Sequence, residues 1–447
     1  MIHLFQENGY YIVIDVNSGA IHELDEETYR ILSHFDERGN FVMSEELKDI
    51  DDLEEILEEI EELKREGELF SEDIFKPMAM ELKERQSVLK AMCLHVAHSC
   101  NMDCEYCFAG KGEYHGDAGL MSYETGKKAI DYLIENSPGR KNLEVDFFGG
   151  EPLLNWQVIK KLVDYGRSLE KSTGKNFRFT LTTNGLLIDD DVIDFCNREM
   201  SNVVLSLDGS RDTNDRMRKT KQGKGTYDLI VDKFIDFAKR RGQKDYYMRG
   251  TFTGKNLHFA EDIIHMANLG FKELSMEPVV APEHVSYALK DGDKDILLVE
   301  YEKLALEMIK RRKSGNSFNF YHFNVDFEGG PCIAKRVSGC GVGTEYIAVT
   351  PEGDIYPCHQ FVGDKDFLMG NLIDGIKNPN VRKLFAECNV YSHEECENCF
   401  ARLYCSGGCS ANAYHSKGSV KAVYDLGCEL HKKRIQCAIM LHLAKGE

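Results

Sequence analysis

Six strand patterns alternate with helix patterns through the middle of the 447-residue chain, and this alternation constrains the fold more than any other feature. Such repeats are typical of parallel sheets, because each crossover helix returns the chain to the same end of the sheet. We therefore predict the α/β class and a partial (β/α)6 barrel, with the functional site at the carboxyl ends of the strands. The strands are predicted at Leu94–Ala97, Leu143–Phe148, Phe177–Thr182, Val203–Leu207, Tyr247–Thr253 and Glu273–Val279, and the helices at Tyr123–Glu135, Trp156–Leu169, Asp190–Arg198, Tyr227–Arg240 and Phe259–Leu269.

Acidic charge is concentrated at the N-terminus. Residues 1–85 hold 25 acidic and 8 basic side chains, a net of −17, whereas the rest of the chain holds 50 and 47, a net of −3. The total of −20 argues against nucleic acid or an anionic membrane as the main partner. With no run of 18 apolar residues and no signal-peptide pattern, we expect a reducing, anaerobic cytoplasm, where clustered cysteines usually bind metal or take part in catalysis.

The acidic segment predicts a small domain of its own. A hairpin is expected from Tyr10–Val16 and Ala20–Leu24, followed by a helix that Asp25 caps and that runs through His34. A second helix is predicted from Ser44 to Gly67, with one apolar stripe and an otherwise acidic surface. That surface is either a solvated helix face or part of a unit that binds a peptide as an added strand.

Three cysteines follow the first predicted barrel strand with the spacing C-x3-C-x2-C. Cys100, Cys104 and Cys107 in one short loop can hold three irons of a [4Fe–4S] cluster and leave the fourth iron open to a substrate. A structural zinc site is the alternative, and it would need a fourth ligand. The candidates for that ligand are His95, His98 and Cys93.

This loop resembles the signature of the radical S-adenosylmethionine (SAM) superfamily, and the likeness covers roughly residues 88–285. The resemblance implies that the open iron chelates the amino and carboxylate groups of SAM. It also implies that an electron from the cluster splits SAM into methionine and a 5′-deoxyadenosyl radical, which takes hydrogen from the substrate. The cofactor carries this chemistry, and the protein supplies positioning and electrostatics.

Later strand ends match further parts of the same family. Gly149-Gly150-Glu151-Pro152 is similar to its GGEP motif, in which the glycines would admit SAM and Glu151 would pair with its ammonium group; a tight turn with a surface Glu is the alternative. Arg218 matches an Arg that binds the SAM carboxylate, although Arg216 is an equally available donor. The other implied SAM contacts are Thr183, Asn184, Ser206 and Asp208, together with Tyr106 and Phe108, which either pack near adenine or belong to the core.

Near the C-terminus, Cys340 and Cys358 have the spacing C-x12-G-x4-C, and Cys396, Cys399, Cys405, Cys409 and Cys428 follow them. This seven-Cys arrangement resembles the SPASM domain of radical SAM enzymes, and the resemblance implies two auxiliary [4Fe–4S] clusters and three clusters in all. An outer cluster would use Cys396, Cys399, Cys405 and Cys428, and an inner cluster would use Cys340, Cys358 and Cys409. Zinc knuckles are the alternative. Cys332, the spare Cys388 or a substrate thiol can fill the fourth inner position, whereas Cys93, Cys196 and Cys437 are expected to be buried small residues.

We expect three domains: residues 1–85 as a winged-helix-like leader-peptide recognition domain, 86–315 as the barrel and 316–447 as the SPASM domain. Together they resemble maturases of ribosomally made Cys-rich peptides, most closely the thioether-forming enzymes that act on SCIFF peptides. The resemblance implies that a peptide Cys sulfur joins a carbon of an acceptor such as Thr. It also implies a precursor peptide that docks through its leader on residues 1–85, and an electron donor such as flavodoxin or ferredoxin.

Three alternatives stay open at this point. One is oxidation of a Cys or Ser in a protein, as in anaerobic sulfatase maturases. Another is a carbon–carbon crosslink within a peptide. The third is a non-catalytic iron–sulfur protein that senses redox state or carries electrons.

Overall fold

A computed structural model of the chain describes residues 1–82, 88–114, 116, 118–242, 244–328 and 333–445, and for residues 80–82, 333 and 334 it describes the backbone only. Cys332, a candidate ligand of the inner cluster, lies outside these residues. The described part contains a small N-terminal sheet with helices and one large sheet that runs through the rest of the chain.

The N-terminal sheet is antiparallel and has the order β1-β2-β3. The expected hairpin is confirmed as β2 and β3, and it is joined by a first strand that was not predicted. Asp25 caps α1 by accepting a hydrogen bond of 2.7 Å from the Thr28 N–H. These elements are β1 (Ile2–Glu7), β2 (Tyr10–Asp15), β3 (Ile21–Leu24), α1 (Glu26–Leu32), α2 (Leu53–Glu66) and α3 (Phe75–Leu82).

The helix predicted from Ser44 is wrong at its start, because α2 begins only at Leu53. The chain first makes a short 3-10 turn at Glu45–Leu47, and then buries Leu47 and Ile50 in the small N-terminal core. The aspartates that follow favour such turns, since their side chains compete with the helix for backbone groups. The end of the helix is as predicted: Gly67 closes it in the left-handed conformation, with φ 78°.

The large sheet has the order β11-β10-β9-β8-β7-β6-β4-β12-β13-β14-β15, with β5 paired to β4. Neighbours from β11 through β12 are parallel, and all six predicted barrel strands lie among them, so the predicted fold class is confirmed. The strands are β4 (Ala91–His98), β5 (Gly119–Leu120), β6 (Asn142–Gly149), β7 (Asn176–Thr183), β8 (Met200–Ser206), β9 (Tyr246–Phe252), β10 (Glu273–Pro278), β11 (Asn319–Phe320), β12 (Tyr346–Val349), β13 (Asp354–Tyr356), β14 (Gly370–Asn371) and β15 (Gly375–Ile376).

Helices connect the parallel strands and cover one face of the sheet. Alternate strand residues such as Phe147, Phe179 and Leu205 are fully buried in the main apolar core with residues of these helices. All five helices predicted here are confirmed within a few residues. The helices of this region are α4 (Tyr123–Glu135), α5 (Trp156–Thr173), α6 (Asp190–Glu199), α7 (Arg211–Met217), α8 (Tyr227–Arg241), α9 (Phe259–Asn268) and α10 (Lys294–Lys313).

The Cys-rich C-terminal region continues the same sheet. β12 pairs in parallel with β4, where Ala348 lies opposite Cys93, and β13 to β15 extend the sheet in antiparallel order. The last helix packs against α10 and β1. The helices here are α11 (Ile333–Ser338), α12 (Pro379–Ala386), α13 (Arg402–Cys405), α14 (Ser410–Lys417) and α15 (Asp425–Leu443). Within the described ranges, no helix combines the length and the apolar character needed to cross a bilayer.

Candidate functional site

The first cysteine loop follows directly from the carboxyl end of β4. Cys100, Cys104 and Cys107 all lie on this loop, and each is partly buried. The pKa of the Cys100 thiol is raised to about 11 and that of Cys104 to about 12, mainly by burial and in smaller part by the other thiols of the loop. The structure therefore brings the three predicted ligands close together. Metal binding would convert such thiols to thiolates.

The loop is fixed from one side by the chain that follows α7. The Asp103 N–H donates to the Lys219 carbonyl at 2.8 Å, and the Glu105 N–H donates to the Met217 carbonyl at 2.9 Å. Two of the residues between the cysteines are thus held by backbone hydrogen bonds.

Gly149 and Gly150 let two strand ends approach each other closely. A Cβ at Gly149 would lie 2.2 Å from the Ala97 carbonyl oxygen, and one at Gly150 would lie 2.2 Å from the Ser99 carbonyl oxygen. Gly149 also has a φ of 128°, which L side chains rarely adopt. The glycines therefore serve the contact between β6 and the start of the cysteine loop, a role that the sequence had not indicated.

Glu151 is buried behind the loop and is surrounded by donors. Its carboxylate accepts hydrogen bonds from the Thr183 hydroxyl at 2.8 Å, the Asn184 N–H at 2.8 Å and the Leu153 N–H at 3.0 Å. Burial nevertheless raises the pKa of Glu151 to about 7, against the opposite effect of these hydrogen bonds. Asn184 extends the group by donating to the Asn101 side chain at 2.8 Å and to the Cys100 sulfur at 3.7 Å.

A second polar group joins Tyr106, Asp208 and Arg218. The Tyr106 hydroxyl donates to Asp208 at 2.7 Å and accepts from Arg218 Nη1 at 3.0 Å. Asp208 also accepts from the Thr251 N–H at 3.0 Å, and burial raises its pKa to about 6, against the charge of Arg218. Arg218 is only 6% exposed, and its Nε has no hydrogen-bond partner among the described residues. The structure therefore leaves a buried cationic donor free beside the cysteine loop.

The structure separates two arginines that the sequence could not distinguish. Arg216 is exposed and donates to the Lys255 carbonyl, whereas Arg218 is buried and donates to Tyr106 of the loop. Ser206 ends β8 beside Arg249 in the strand register and is partly buried.

Phe108 does not join the Tyr106 group. Its ring is 45% exposed and lies 5.8 Å from the ring of His359, which follows Cys358 in the C-terminal region. Phe108 also lines a cavity of about 350 Å³ with Tyr114 and with residues of the C-terminal region. Those residues are Gln360, Val362, Gly363, Asp364, Tyr414 and His415.

The seven C-terminal cysteines influence one another in two groups. Burial first, and then the nearby thiols of Cys409 and Cys340, raise the pKa of Cys358. In the same way, burial and then the thiols of Cys428, Cys396 and Cys399 raise the pKa of Cys405 to about 12. The assignment of these two groups to an inner and an outer cluster stays a prediction.

The remaining cysteines differ in their surroundings. The spare Cys388 thiol donates to the Leu384 carbonyl at 3.3 Å, and Cys196 and Cys437 are fully buried. Cys93 is also buried, but a hydrogen bond from Tyr346 and the charges of Asp146 and Cys358 act on its thiol. Cys93 therefore has polar neighbours that a buried apolar residue would not need, and one of them is Cys358 of the inner set.

Three polar residues near these sets have surroundings that the sequence did not indicate. His95 and His98, which the sequence offered only as alternative zinc ligands, are buried with 3.1 Å between their ring nitrogens, and the ring of Tyr114 packs against both. Asp146 lies between Cys93 and Thr180 in the strand register, and burial raises its pKa to about 7. Lone residues on strand patterns carry no motif, so only the register of the sheet could reveal them.

The residues present fit iron–sulfur clusters and SAM. The donors are thiols gathered in sets of three, three and four, and the first set stands beside the unpartnered Nε of Arg218. Within the described ranges, no three His, Cys, Asp or Glu side chains are spaced to share a single metal ion.

Comparison with known proteins agrees with this geometry. Residues 94–267 match the Radical SAM superfamily, and residues 340–400 match the SPASM iron–sulfur cluster-binding domain. The radical SAM cyclopropyl synthase TigE of Paramaledivibacter caminithermalis is 22% identical over 374 residues, which cover 78% of this chain and 73% of that protein. A Cys-type anaerobic sulfatase-maturating enzyme of Clostridium perfringens strain 13 is 25% identical over 333 residues, covering 69% and 85%.

Solved structures share the fold. Native anSMEcpe with bound AdoMet superposes with a TM-score of 0.66 at 23% identity, over 80% of this chain and 100% of that chain. Streptococcus suis SuiB bound to the precursor peptide SuiA superposes with a TM-score of 0.55 at 16% identity, over 95% and 98%. The chain therefore contains a Radical SAM domain at residues 94–267 and a SPASM iron–sulfur cluster-binding domain at residues 340–400.

Proposed function

We propose that this enzyme forms thioether crosslinks in a ribosomally made, Cys-rich precursor peptide, by joining a Cys sulfur to a carbon of an acceptor residue such as Thr. The observation that carries the proposal is the inner cysteine set, which has three members among the described residues and lies beside the barrel strand β4. Three thiolates leave one position of a four-iron cluster for a further thiol.

The first site would hold a [4Fe–4S] cluster and SAM. Cys100, Cys104 and Cys107 would bind the cluster, the buried Arg218 would face the SAM carboxylate, and Glu151 would face its ammonium group. When bound, this pair of cofactors supplies a radical that removes a hydrogen atom from the substrate. Glu151 and Asp208 are each only 1% exposed, so the carboxylates that would orient SAM are themselves shielded from water.

The remaining contacts assigned to SAM surround these two anchors. Gly149 and Gly150 bring Glu151 beneath the loop, and Tyr106 links the loop to Arg218. Thr183, Asn184, Ser206 and Asp208 would complete the set, and Phe108 stays a further predicted contact although its ring lies beside His359.

The two C-terminal sets would hold the auxiliary clusters, three clusters in all with the first. Cys396, Cys399, Cys405 and Cys428 supply a full set of ligands for the outer one. In the inner one, either the substrate thiol or Cys332 would take the fourth position. A substrate thiol bound there would have a lowered pKa and would lie ready for bond formation.

Residues 1–85 would bind the leader of the precursor. The sheet order β1-β2-β3 puts β3 at one edge, whereas β1 at the other edge packs against α15. An extended peptide can add to β3 through backbone hydrogen bonds. Hydrogen exchange of the full chain with and without precursor tests this: slower exchange is expected at Ile21–Leu24, and unchanged exchange there would remove this docking mode.

The reaction is tested with anaerobically reconstituted enzyme, SAM, dithionite and a Cys-rich precursor that contains Thr. We expect 5′-deoxyadenosine, and a peptide that has lost a pair of hydrogen atoms and one alkylatable thiol per crosslink.

Loss of hydrogen with all thiols still reactive would instead favour a carbon–carbon crosslink. Conversion of a Cys or Ser without crosslinking would favour the sulfatase-maturase reaction. Absence of 5′-deoxyadenosine with intact clusters would leave only an electron carrier or sensor. Reduction of the clusters by flavodoxin or ferredoxin tests the expected electron donor.

A further inference from the structure

The chain between the second and third cysteines of the outer set is packed against the N-terminal sheet. We call residues 396–405, which carry three of the four outer cysteines, the outer ligand loop. The ring of Phe400 stacks on His3 with 3.8 Å between ring centroids and 4° between ring planes. Phe400 and Ala401 also share an apolar cluster with residues of β1, of β2 and the position after it, and of α15. These are Phe5, Ile12, Ile14, Val16, Ile435 and Ile439.

Arg402 continues this contact with a buried guanidinium. Its Nη1 donates to the Glu397 carbonyl, which belongs to the outer ligand loop itself. Its Nη2 donates to the Asn17 side chain and, at 3.0 Å, to the Asp73 carboxylate. The side chains of Arg402 and Asp73 are 7% and 20% exposed, so most of this ion pair is withdrawn from water. One side chain therefore ties the cysteine loop to both the N-terminal hairpin and the segment after α2.

The acceptors of Arg402 are themselves held in place. The Tyr391 hydroxyl donates to Asp73 at 2.9 Å, and the Asn17 side-chain amide donates to the Ser71 carbonyl at 2.7 Å. Ala79 of α3 is buried in one apolar cluster with Cys396, the first cysteine of the outer ligand loop. The N-terminal residues thus contribute to the surroundings of both Cys396 and Arg402.

From these contacts we propose that residues 1–82 form part of the binding site of the outer auxiliary cluster, with Arg402 as its positioning residue. The inference rests on the cluster assignment in the proposed function. Four thiolates hold a cluster well only when their backbone is already in place, and a buried ion pair that loses one partner leaves an uncompensated charge in its surroundings. The segment that would bind the leader peptide therefore also lines the binding site of the outer auxiliary cluster, which would carry electrons.

The test uses the full chain with Cys100, Cys104 and Cys107 changed to Ala, so that only auxiliary iron remains after anaerobic reconstitution. The release of this iron to a chelator is followed over time. A kinetic phase of release that is absent when Cys428 is also changed to Ala is assigned to the outer cluster. Asp73→Asn removes the charge and keeps the size of the side chain, and Arg402→Lys keeps the charge and loses the planar donor fork. Glu58→Ala, an exposed carboxylate of α2, is the matched control.

Asp73→Asn and Arg402→Lys are each expected to speed the outer phase by about tenfold. The inner phase and the Glu58→Ala variant should keep the parental rates. Parental rates of the outer phase in both variants, with the outer cluster present, would overturn the inference while leaving the cluster assignment intact. Absence of any phase that depends on Cys428 in the parent would instead overturn the cluster assignment on which the inference rests.

Discussion

Arg218 donates a hydrogen bond of 3.0 Å from Nη1 to the hydroxyl of Tyr106, a residue that stands between two cysteines of the first loop. The chain after α7 is thereby joined to the loop through a side chain as well as through the backbone. Because Arg218 is buried and its Nε is unpartnered among the described residues, the contact leaves one donor available for an anionic ligand.

Changing Arg218 to Lys is expected to weaken SAM binding by roughly tenfold to a hundredfold, since a hydrogen bond to a charged group contributes roughly 1.5–3 kcal/mol and Lys cannot reproduce the planar donor fork. Equilibrium binding of SAM to the reconstituted enzyme measures the change. Arg216→Lys is the matched control, because Arg216 is exposed two residues away and should bind SAM as the parent does. Equal losses in both variants would contradict the assignment of Arg218.

Changing Cys100, Cys104 and Cys107 to Ala should abolish SAM cleavage and leave the auxiliary clusters in place, because the three predicted ligand sets share no cysteine. Iron content and 5′-deoxyadenosine formation are measured on the same sample. Cys196→Ala, a buried cysteine of α6, serves as the control and should keep all the iron. If the triple variant still cleaved SAM, the cluster assignment would be wrong.

Gly150→Ala is expected to reduce loading of the first cluster strongly. Its Cβ would meet the Ser99 carbonyl oxygen at 2.2 Å, and this contact with backbone can be relieved only by moving the start of the cysteine loop. Gly292→Ala is the control, since a Cβ there meets nothing within 4 Å. Iron per chain is measured in a variant that lacks the seven C-terminal cysteine ligands. Full iron loading of Gly150→Ala in that background would contradict the role of Gly150 in placing the first cysteine loop.

Asp146→Asn should stabilise the protein more at pH 8 than at pH 5. Burial raises the pKa of Asp146 from 3.8 to about 7 in the folded protein, so its contribution to stability is complete only below pH 3.8 and is lost as the pH rises from there through about 7. Asn avoids the loss, and the gain should reach roughly 1–3 kcal/mol at pH 8. Thermal unfolding at pH 5 and pH 8 checks the sign. The same shift at both pH values would mean that packing, and not ionisation, is responsible.

Most of the barrel could be predicted because its strands and helices carry strong local patterns. The stretch Asn142–Gly149 alternates along its length and ends in paired glycines, and the strand is found where it was expected. The helix expected from Ser44 failed for a tertiary reason, since burying Leu47 and Ile50 requires the chain to turn before Leu53. Strand β1 was missed because its pattern is weak without the partner strand.

The cysteine sets could be assigned because thiol spacing is a strong signal, whereas contacts between distant side chains leave no such trace. Arg216 and Arg218 are equivalent in the sequence, and only the end of α7 turns one outward and the other inward. The contact of Phe108 with His359 joins residues about 250 positions apart, so no local pattern could predict it. The same holds for Arg402 and Asp73.

The backbone pairing between β4 and β12 restricts which SPASM regions can be exchanged between related enzymes. The SPASM strand completes the sheet that carries the first cysteine loop, with Tyr346 opposite Ala91 and Val349 opposite Leu94. If a SPASM region is exchanged between related enzymes, its first strand must pair with β4 in this same register, because another register would displace the strand that leads to Cys100. The N-terminal segment contacts the rest of the described chain through side chains. An exchanged N-terminal segment therefore needs a matching surface, but it does not need to pair with a strand of the large sheet.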